Sequence, residues 1–279
     1  MAGEKINQSL SVNATGKVFV EIPRGLVNIQ GWDKQEIMVQ GELEDTARSL
    51  IFKTRKDKTL IKIHNKGHQS WGDSSVINIF MPHQLQLHFK GIDTSFTIIK
   101  LNNHTEGKSI NGDLMVSQSH GKIKLYVVSG NIKVADSSGL IRIESVNGEV
   151  DFSGDFEEAY LKSMAGDINA NISGIDKLTI KNISGDTQIS GQVKKEAEVK
   201  LTSVSGDIIY MASNGLNAEC EMVSQFGGEI TNMLTDDLPV DGNLHKKTLS
   251  FISGDGSGTL SMNTVTGSVT IYNDDDADE

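Results

Sequence analysis

Carboxylate side chains recur at one position of this sequence, directly after a glycine that itself recurs. The position carries Asp113, Asn131, Glu149, Asp167, Asp186, Asp207 and Glu229. A row of oxygen ligands could bridge Ca²⁺ or a cationic group, so the carboxylates Asp113, Glu149, Asp167, Asp186, Asp207 and Glu229 form a candidate cation site. Stacked about 5 Å apart, two like charges repel by about 0.8 kcal/mol even in water. The alternative, which we favour, is that each carboxylate accepts an N–H group of its turn and otherwise faces solvent.

Other residues capable of metal or thiol chemistry are scattered. His64 and His68 come closest to a zinc pair, but no third ligand lies at a fixed offset from them. Cys220 is the one cysteine, so the chain has no internal disulfide, and its alternating surroundings predict a buried, unreactive thiol. We therefore expect no cofactor, with Ca²⁺ at the acidic row as the alternative.

The sequence contains no recognisable catalytic motif: a nucleophile elbow, a phosphate-binding loop and a dinucleotide fingerprint are all absent. Three aromatic residues could stack on sugars: Trp32, Trp71 and Tyr126. With 5% aromatic residues overall, packing is the favoured role for them. The best material for a polysaccharide-active enzyme is the turn 151–158 with Lys162, Asp176 and Lys177. This enzyme is the less favoured alternative to a non-enzymatic protein.

The glycines that precede the acidic positions belong to a regular repeat. Five of them follow one another at a constant nine-residue spacing, at Gly112, Gly121, Gly130, Gly139 and Gly148. The residues two and four positions after each glycine are apolar: Leu114, Ile123, Ile132, Ile141 and Val150, then Val116, Leu125, Val134, Ile143 and Phe152. Apolar residues at alternate positions predict a strand with one buried face. Each nine-residue unit is therefore a short strand and a turn.

Alternate units differ, and this difference sets the length of one coil. The residue two before the glycine is Ile110, Val128 or Val146 in alternate units, but Ser119 or Ser137 in the units between. The full repeat is thus a pair of nine-residue units with two strands, and it continues to Gly228 with glycine spacings of 18, 19, 21 and 22. Crossovers between parallel strands are right-handed. We predict an all-β protein, a right-handed parallel β-solenoid (β-helix) with about 18–22 residues per coil.

The repeat extends beyond its most regular part and predicts one domain. We expect residues 1–15 to be an N-terminal extension and residues 16–272 to form a single elongated solenoid. Strands before Phe89 would supply irregular early coils or an antiparallel cap, because a bare solenoid end exposes unpaired strand edges. Segment 232–247 breaks the repeat and predicts an extruded loop, after which the pattern resumes at Thr248. Residues 273–279 form an acidic tail that we expect to be disordered.

Composition excludes several classes of function. The formal net charge is −11, with 26 basic and 37 acidic residues, so the chain lacks the positive surface that nucleic acids and anionic membranes require. No apolar run reaches the length of a transmembrane helix. The first residues do not resemble an export leader. We expect a periplasmic or cell-surface protein if a signal peptide has been removed, and a cytoplasmic protein otherwise.

Several motifs resemble those of one bacterial family. They are the opening Gly25-Leu-Val-Asn-Ile-Gln-Gly-Trp-Asp33, the strand Val76-Ile-Asn-Ile-Phe-Met-Pro82, the reiterated Val204-Ser-Gly-Asp-Ile208 and the closing stretch from Gly256 to Gly267. Together they resemble the bacterial β-strand-repeat proteins grouped as "putative adhesins" of unknown function, over residues 16 to 272. The resemblance implies a bacterial protein, often exported to the periplasm or cell surface, and it supplies no catalytic residues.

We therefore expect a non-enzymatic, adhesin-like or structural protein of the bacterial cell envelope. Its ligand would be an envelope component, a glycan or a protein that the sequence does not identify. The main alternative is a protein that binds Ca²⁺ or cationic peptides through the acidic row.

Overall fold

The computed structural model describes residues 4–44, 47–65, 74–213 and 215–274. His68, Trp71 and residues 275–279 of the acidic tail lie outside these ranges. Within them the chain forms 22 strands: β1 Lys5–Ser11, β2 Lys17–Trp32, β3 Glu36–Glu42, β4 Ala47–Arg55, β5 Lys58–Asn65, β6 Ser75–Pro82, β7 Gln86–Ile99, β8 Thr105–Asn111, β9 Leu114–Ser117, β10 His120–Ser129, β11 Ile132–Asn147, β12 Val150–Ala165, β13 Ile168–Ser184, β14 Thr187–Gly191, β15 Glu198–Ser205, β16 Ile208–Ala212, β17 Ala218–Ser224, β18 Ile230–Asn232, β19 Val240–Asp241, β20 Lys247–Ser253, β21 Gly258–Thr266 and β22 Val269–Asn273.

The described residues contain one helical element, a 3₁₀ turn at Asn243–His245. The predicted all-β class is therefore confirmed. In the same ranges, no helix is long and apolar enough to cross a membrane. The chain divides into two compact units, Met1–Ser137 and Ser138–Glu279, so the division falls within β11.

In the first unit, consecutive coils stack as parallel strands. β8 lies between β7 and β10, while β9 lies between the second half of β7 and the start of β11. Thr105 is paired with Leu87 on one side and with Ile123 on the other, an offset of one full repeat in each direction. The strand register thus equals the repeat that is visible in the sequence, which is the arrangement of a solenoid-like stack.

The second unit stacks in the same way with a register that widens. Val150 pairs with Ile168, an offset equal to the sequence repeat, whereas Thr187 pairs with Ile208, a longer offset that matches the wider glycine spacing there. The first extra residue enters at a β-bulge between Gly154 and Asp155. Residues 151–158, predicted as a turn, therefore continue as strand β12 instead. A bulge absorbs an extra residue without ending the strand pairing, so the stack remains intact.

The ends of the stack do not follow the order of the chain. In the first unit β2 lies between β7 on one side and β5 and β6 on the other. In the second unit β21 and β22 lie between the coil of β15 and β16 and the coil of β17 and β18. The strand pattern predicted to resume at Thr248 is present, and β21 and β22 pair in parallel, but the first of these strands, β20, does not. β20 runs antiparallel to β17. The chain then returns, and β21 and β22 form a coil between that of β17 and β18 and that of β15 and β16.

Antiparallel strands cap the ladders of both units, as expected from the cost of an open edge. β4 covers β5, β1 covers β3, and β3 covers β6 in the first unit, while β20 covers β17 in the second. β1 lies in the segment 1–15 that was expected to be an extension. Within the predicted loop 232–247, residue 232 ends β18, residue 247 begins β20, and the residues between them form β19 and the 3₁₀ turn.

The core is made of the apolar columns that the repeat predicts. All ten residues at the second and fourth positions after the five glycines are buried. The buried column of serines is less obvious from sequence: Ser119 and Ser137 point inward, whereas Ile110 is half-exposed. The Ser119 hydroxyl donates to the Ser117 carbonyl at 2.9 Å and accepts from the Leu101 N–H at 3.2 Å, so its burial leaves no unpaired polar group.

The turn glycines pack against the backbone of the preceding coil. Gly185 has a φ of +119°, and a Cβ placed on it would lie 2.5 Å from the Gly166 carbonyl oxygen. Its N–H donates to the Ser205 carbonyl at 3.2 Å. The repeat glycine is therefore required both by its backbone conformation and by the close approach of neighbouring coils.

Replacing Gly185 by alanine tests this requirement. We expect the Gly185→Ala chain to lose about 3 kcal/mol of unfolding free energy in urea denaturation, from backbone strain plus the clash with the Gly166 carbonyl. Gly227 is the matched control, because it has a φ of +77° but nothing within 4 Å of the place that a Cβ would take. Gly227→Ala should cost about 1 kcal/mol. Equal losses in the two variants would contradict the packing argument.

Candidate functional site

The predicted acidic row forms a ladder of hydrogen bonds in the second unit. Oδ1 of Asp167 accepts the backbone N–H of Asp186 at 2.8 Å, and Oδ1 of Asp186 accepts the N–H of Asp207 at 2.9 Å. Oδ1 of Asp207 accepts the N–H of Ser268, in the inserted coil, at 2.7 Å. We call Asp167, Asp186 and Asp207 the carboxylate ladder. Each side chain is exposed, and one of its oxygens joins its coil to the next.

The remaining members of the acidic row are placed differently. In the first unit Oδ1 of Asp113 accepts the N–H of Asn131 at 2.8 Å, as in the ladder. The Glu149 carboxylate instead accepts from the Asn169 side chain at 2.7 Å. Glu229 pairs with Lys247, and this contact raises the pKa of the lysine. At this position of the repeat, the two glutamates thus contact side chains, whereas the aspartate accepts a backbone N–H.

An apolar row, in which every member except Val265 is exposed, accompanies the carboxylate ladder. In each coil its member lies two residues before the turn glycine, whereas the acidic row lies directly after that glycine. We call this row the apolar stripe: Met164, Ile183, Val204, Val265 and Phe226. The strand registers place these side chains next to one another in that order. Met164, Ile183, Val204 and Phe226 are 47%, 42%, 46% and 56% exposed. Aligned apolar side chains of this kind on an outer face are typical of a binding surface.

A second cluster lies in the first unit and was missed at the level of sequence. Nε2 of His104 donates to Oε2 of Glu106 at 3.2 Å, and Nδ1 of His88 lies 3.6 Å from the same oxygen. Each residue offers a ligand atom within 4.8 Å of the others. The sequence did contain a signal for this cluster. The separation of His88 and Glu106 equals the length of two nine-residue units, which is one full repeat. The prediction considered local histidine spacing instead.

The environment of this cluster shifts two pKa values. Burial, together with the nearby His104 and Lys17, lowers the pKa of His88, although Glu106 acts in the opposite direction. The hydrogen bond from His104 holds the pKa of the Glu106 carboxyl below its usual value, with Lys124 acting in the same direction against burial. At neutral pH these shifts favour an uncharged His88 beside an ionised Glu106.

The other candidate residues do not come together as a site in the described part of the chain. His64 is exposed on β5, and its proposed partner His68 lies outside the described residues. Trp32 stacks on Phe80 and donates its ring N–H to the Glu36 carbonyl, a packing role. Tyr126 is partly exposed.

Of the residues considered for polysaccharide cleavage, three form ion pairs: Asp155, Asp176 and Lys177. Lys194 bridges Asp155 at 3.0 Å and Asp176 at 3.3 Å, and the hydrogen bond with Asp155 is the main cause of its raised pKa. Lys177 pairs with Glu198 at 2.8 Å. These charged side chains are therefore paired with one another in the structure.

The family model described as Toastrack DUF4097 matches residues 17–271 of the sequence. The chain belongs to the Toastrack DUF4097 family. The match spans both units and confirms the resemblance to adhesin-like proteins of unknown function that the sequence motifs indicate. No curated protein matches the sequence.

Three solved structures that are similar to this Toastrack chain come from bacteria. A "putative adhesin" from Parabacteroides merdae is 13% identical over 97% of each chain, with a TM-score of 0.53. A "putative lipid binding protein" from Parabacteroides distasonis is 10% identical over 97% of each chain, with a TM-score of 0.47. A "putative adhesin" from Bacteroides fragilis is 14% identical over 96% of this chain and 97% of its own, with a TM-score of 0.44. At these identities the first similarity is evidence about the fold alone.

The cysteine of the Toastrack chain is buried, as predicted. Cys220 lies on β17, with Sγ 3.7 Å from the Ala218 carbonyl, and burial raises the pKa of the thiol to about 12. At pH 8 the folded protein should react with Ellman's reagent about 10³-fold more slowly than the protein in concentrated urea, because the thiolate is the reactive form. Rapid labelling of the folded chain would contradict this assignment.

Substitutions at Asp186 test the structural role of the carboxylate ladder. Asp186→Asn keeps an oxygen that can accept the Asp207 N–H, whereas Asp186→Ala removes it. We expect the alanine variant to be about 1 kcal/mol less stable than the asparagine variant in urea denaturation. Asp236→Ala, at an exposed position of the loop 232–247, is the control and should leave stability nearly unchanged. Equal stability of the two Asp186 variants would show that the hydrogen bond is not needed.

Proposed function

We propose that this Toastrack chain is a non-enzymatic, adhesin-like binding protein that holds a cationic, partly apolar segment of another protein. The observation that carries the proposal is the juxtaposition of the apolar stripe and the carboxylate ladder over consecutive coils. The stripe supplies apolar area, and the ladder supplies a row of negative charge beside it.

The charge of this surface selects among partner classes. Anionic lipid headgroups and nucleic acids would be repelled by Asp167, Asp186 and Asp207. Neutral sugars would gain little from aliphatic side chains such as Ile183 and Val204, because sugar binding favours aromatic faces. A protein segment that carries lysine or arginine beside apolar residues complements both rows. Protein is therefore the ligand class that this surface fits best.

The regular spacing of the rows favours an extended partner. Adjacent coils of parallel strands lie about 4.8 Å apart. A partner segment that runs along the stack would meet an apolar side chain and a carboxylate at each coil. Several weak contacts would then add up along its length, although each exposed charge pair contributes only about 0.2–1 kcal/mol.

The proposal includes features of the fold and location that the sequence favours. The coils are taken as right-handed, since about 98% of parallel crossovers have that hand. The coil length of about 18–22 residues follows the glycine spacing. The protein would act in the bacterial periplasm or at the cell surface, and its ligand-binding role needs no cofactor. The similarity of the family to adhesins supports this placement.

Binding of Ca²⁺ is the second candidate. In the carboxylate ladder Oδ1 is used by a backbone N–H, which leaves Oδ2 of each residue for a cation. Carboxylate oxygens are the ligands that Ca²⁺ prefers. The thermal stability of the chain with Ca²⁺ alone should therefore be measured beside peptide binding.

The experiment compares two synthetic peptides of equal positive charge, one alternating lysine with leucine and the other alternating lysine with serine. We expect the leucine peptide to bind the wild-type chain more tightly at low salt, by fluorescence anisotropy, and to lose affinity as salt is added. The triple variant Asp167→Asn, Asp186→Asn, Asp207→Asn should bind at least about tenfold more weakly, because it loses charge but keeps the ladder's acceptor oxygens. Ile183→Ser should weaken the leucine peptide specifically.

Matched controls separate this surface from overall charge. The triple variant Glu157→Gln, Asp236→Asn, Asp241→Asn removes the same charge elsewhere in the second unit, and Leu238→Ser removes an exposed apolar side chain of the loop 232–247. Both should bind like wild type. Absence of binding at low salt, or equal losses in the controls, would reject the proposal. A thermal shift with Ca²⁺ alone that the ladder variant abolishes would favour the calcium alternative.

A further inference from the structure

We propose that His88, His104 and Glu106 form a binding site for a divalent transition-metal ion such as Zn²⁺. The site lies in the first unit and does not depend on the proposed peptide-binding surface of the second. Two imidazoles and one carboxylate are a ligand set that zinc accepts in proteins, with a fourth position left for water.

The strands place the three side chains on one outer face. His88 on β7 is the direct register partner of Glu106 on β8. His104 comes two residues before Glu106, so its side chain points to the same side as the glutamate. Thr105, between them, points into the core. Two of the ligands therefore sit on paired strands, and the third adjoins the start of β8, so the backbone beneath the cluster is held by interstrand hydrogen bonds.

The distances are close to those of a zinc site. Zinc bonds of about 2.0–2.1 Å in a tetrahedral site separate ligand atoms by about 3.3–3.5 Å. The cluster has His104 Nε2 at 3.2 Å and His88 Nδ1 at 3.6 Å from Glu106 Oε2. All three ligand atoms lie within 4.8 Å of one another. A small rotation of the imidazoles would bring the set into coordination distance.

The surroundings hold His88 in place. Its ring stacks on Phe19 with centroids 5.0 Å apart and an angle of 11° between the planes, and the His104 ring lies edge-on at 5.5 Å. Nε2 of His88 is buried and has no hydrogen-bond partner among the described residues, whereas Nδ1 faces Glu106. The ring thus directs its accessible nitrogen into the cluster, as a ligand would.

Neighbouring charges set the affinity. Lys124 is the register partner of Glu106 on β10, one coil further on. Its positive charge would oppose a bound cation. Removing it should therefore increase metal affinity, an effect that a purely structural cluster would not show.

The test is isothermal titration of the metal-free, untagged full chain with Zn²⁺. We expect one ion per chain, and tetrahedral Co²⁺ bound in its place should give visible absorption that Zn²⁺ abolishes. His104→Gln and Glu106→Gln should each weaken Zn²⁺ binding about tenfold or more, since even outer-shell changes cost about 10–100-fold. Lys124→Gln should strengthen binding.

Controls use residues of the same types in the first unit. His64→Gln and Lys133→Gln change exposed side chains outside the cluster and should leave Zn²⁺ affinity unchanged. Circular dichroism of each variant checks that it is folded. No saturable Zn²⁺ binding by the wild-type chain would overturn the proposal. The same conclusion would follow if His64→Gln and His104→Gln had equal effects, or if Co²⁺ gave no tetrahedral spectrum.

Discussion

The backbone pairing between consecutive coils is the constraint on which the rest of this Toastrack structure depends. A parallel ladder holds each residue opposite one residue of the next coil, so a chemical property repeated once per coil becomes a row. Apolar residues such as Leu114 and Val116 form the buried columns. The turn glycines allow the close approach, and the aspartates that follow them accept an N–H of the neighbouring coil.

This constraint also governs the ends of the stack. The last coil of a stack has an unpaired strand edge. In both units the first or last segment of the chain does not form this edge but lies between two other coils. β2 is covered by β5 and β6, while β21 and β22 are covered by β17 and β18. Antiparallel strands then close the outermost edge. Residues distant in sequence thereby become neighbours at each end.

Rows of side chains on the outside of a stack provide binding surfaces without a pocket. The inward-facing side chains form the core, so the chemistry of the surface is set by the outward-facing side chains and by the turns. In the second unit they combine apolar and acidic rows, and in the first unit they bring His88, His104 and Glu106 together. The two surfaces use the same strand register for different chemistry. A repeat fold can present extended outer surfaces of different chemistry in this way.

The sequence by itself determined the strand class, the length of the repeat and the inward-facing residues, because these follow from alternation and spacing within short segments. It did not determine the partners of Asp167 and Asp186, because it predicts an N–H of the same turn, whereas the N–H that each accepts belongs to the next coil. Only the tertiary structure decided that β2 and β22 are inserted between other coils, because backbone hydrogen bonds pair any two compatible strands regardless of their order. It also decided which side chains meet across coils. His88 and Glu106 are one full repeat apart in the sequence, but only the strand register places their side chains on the same face.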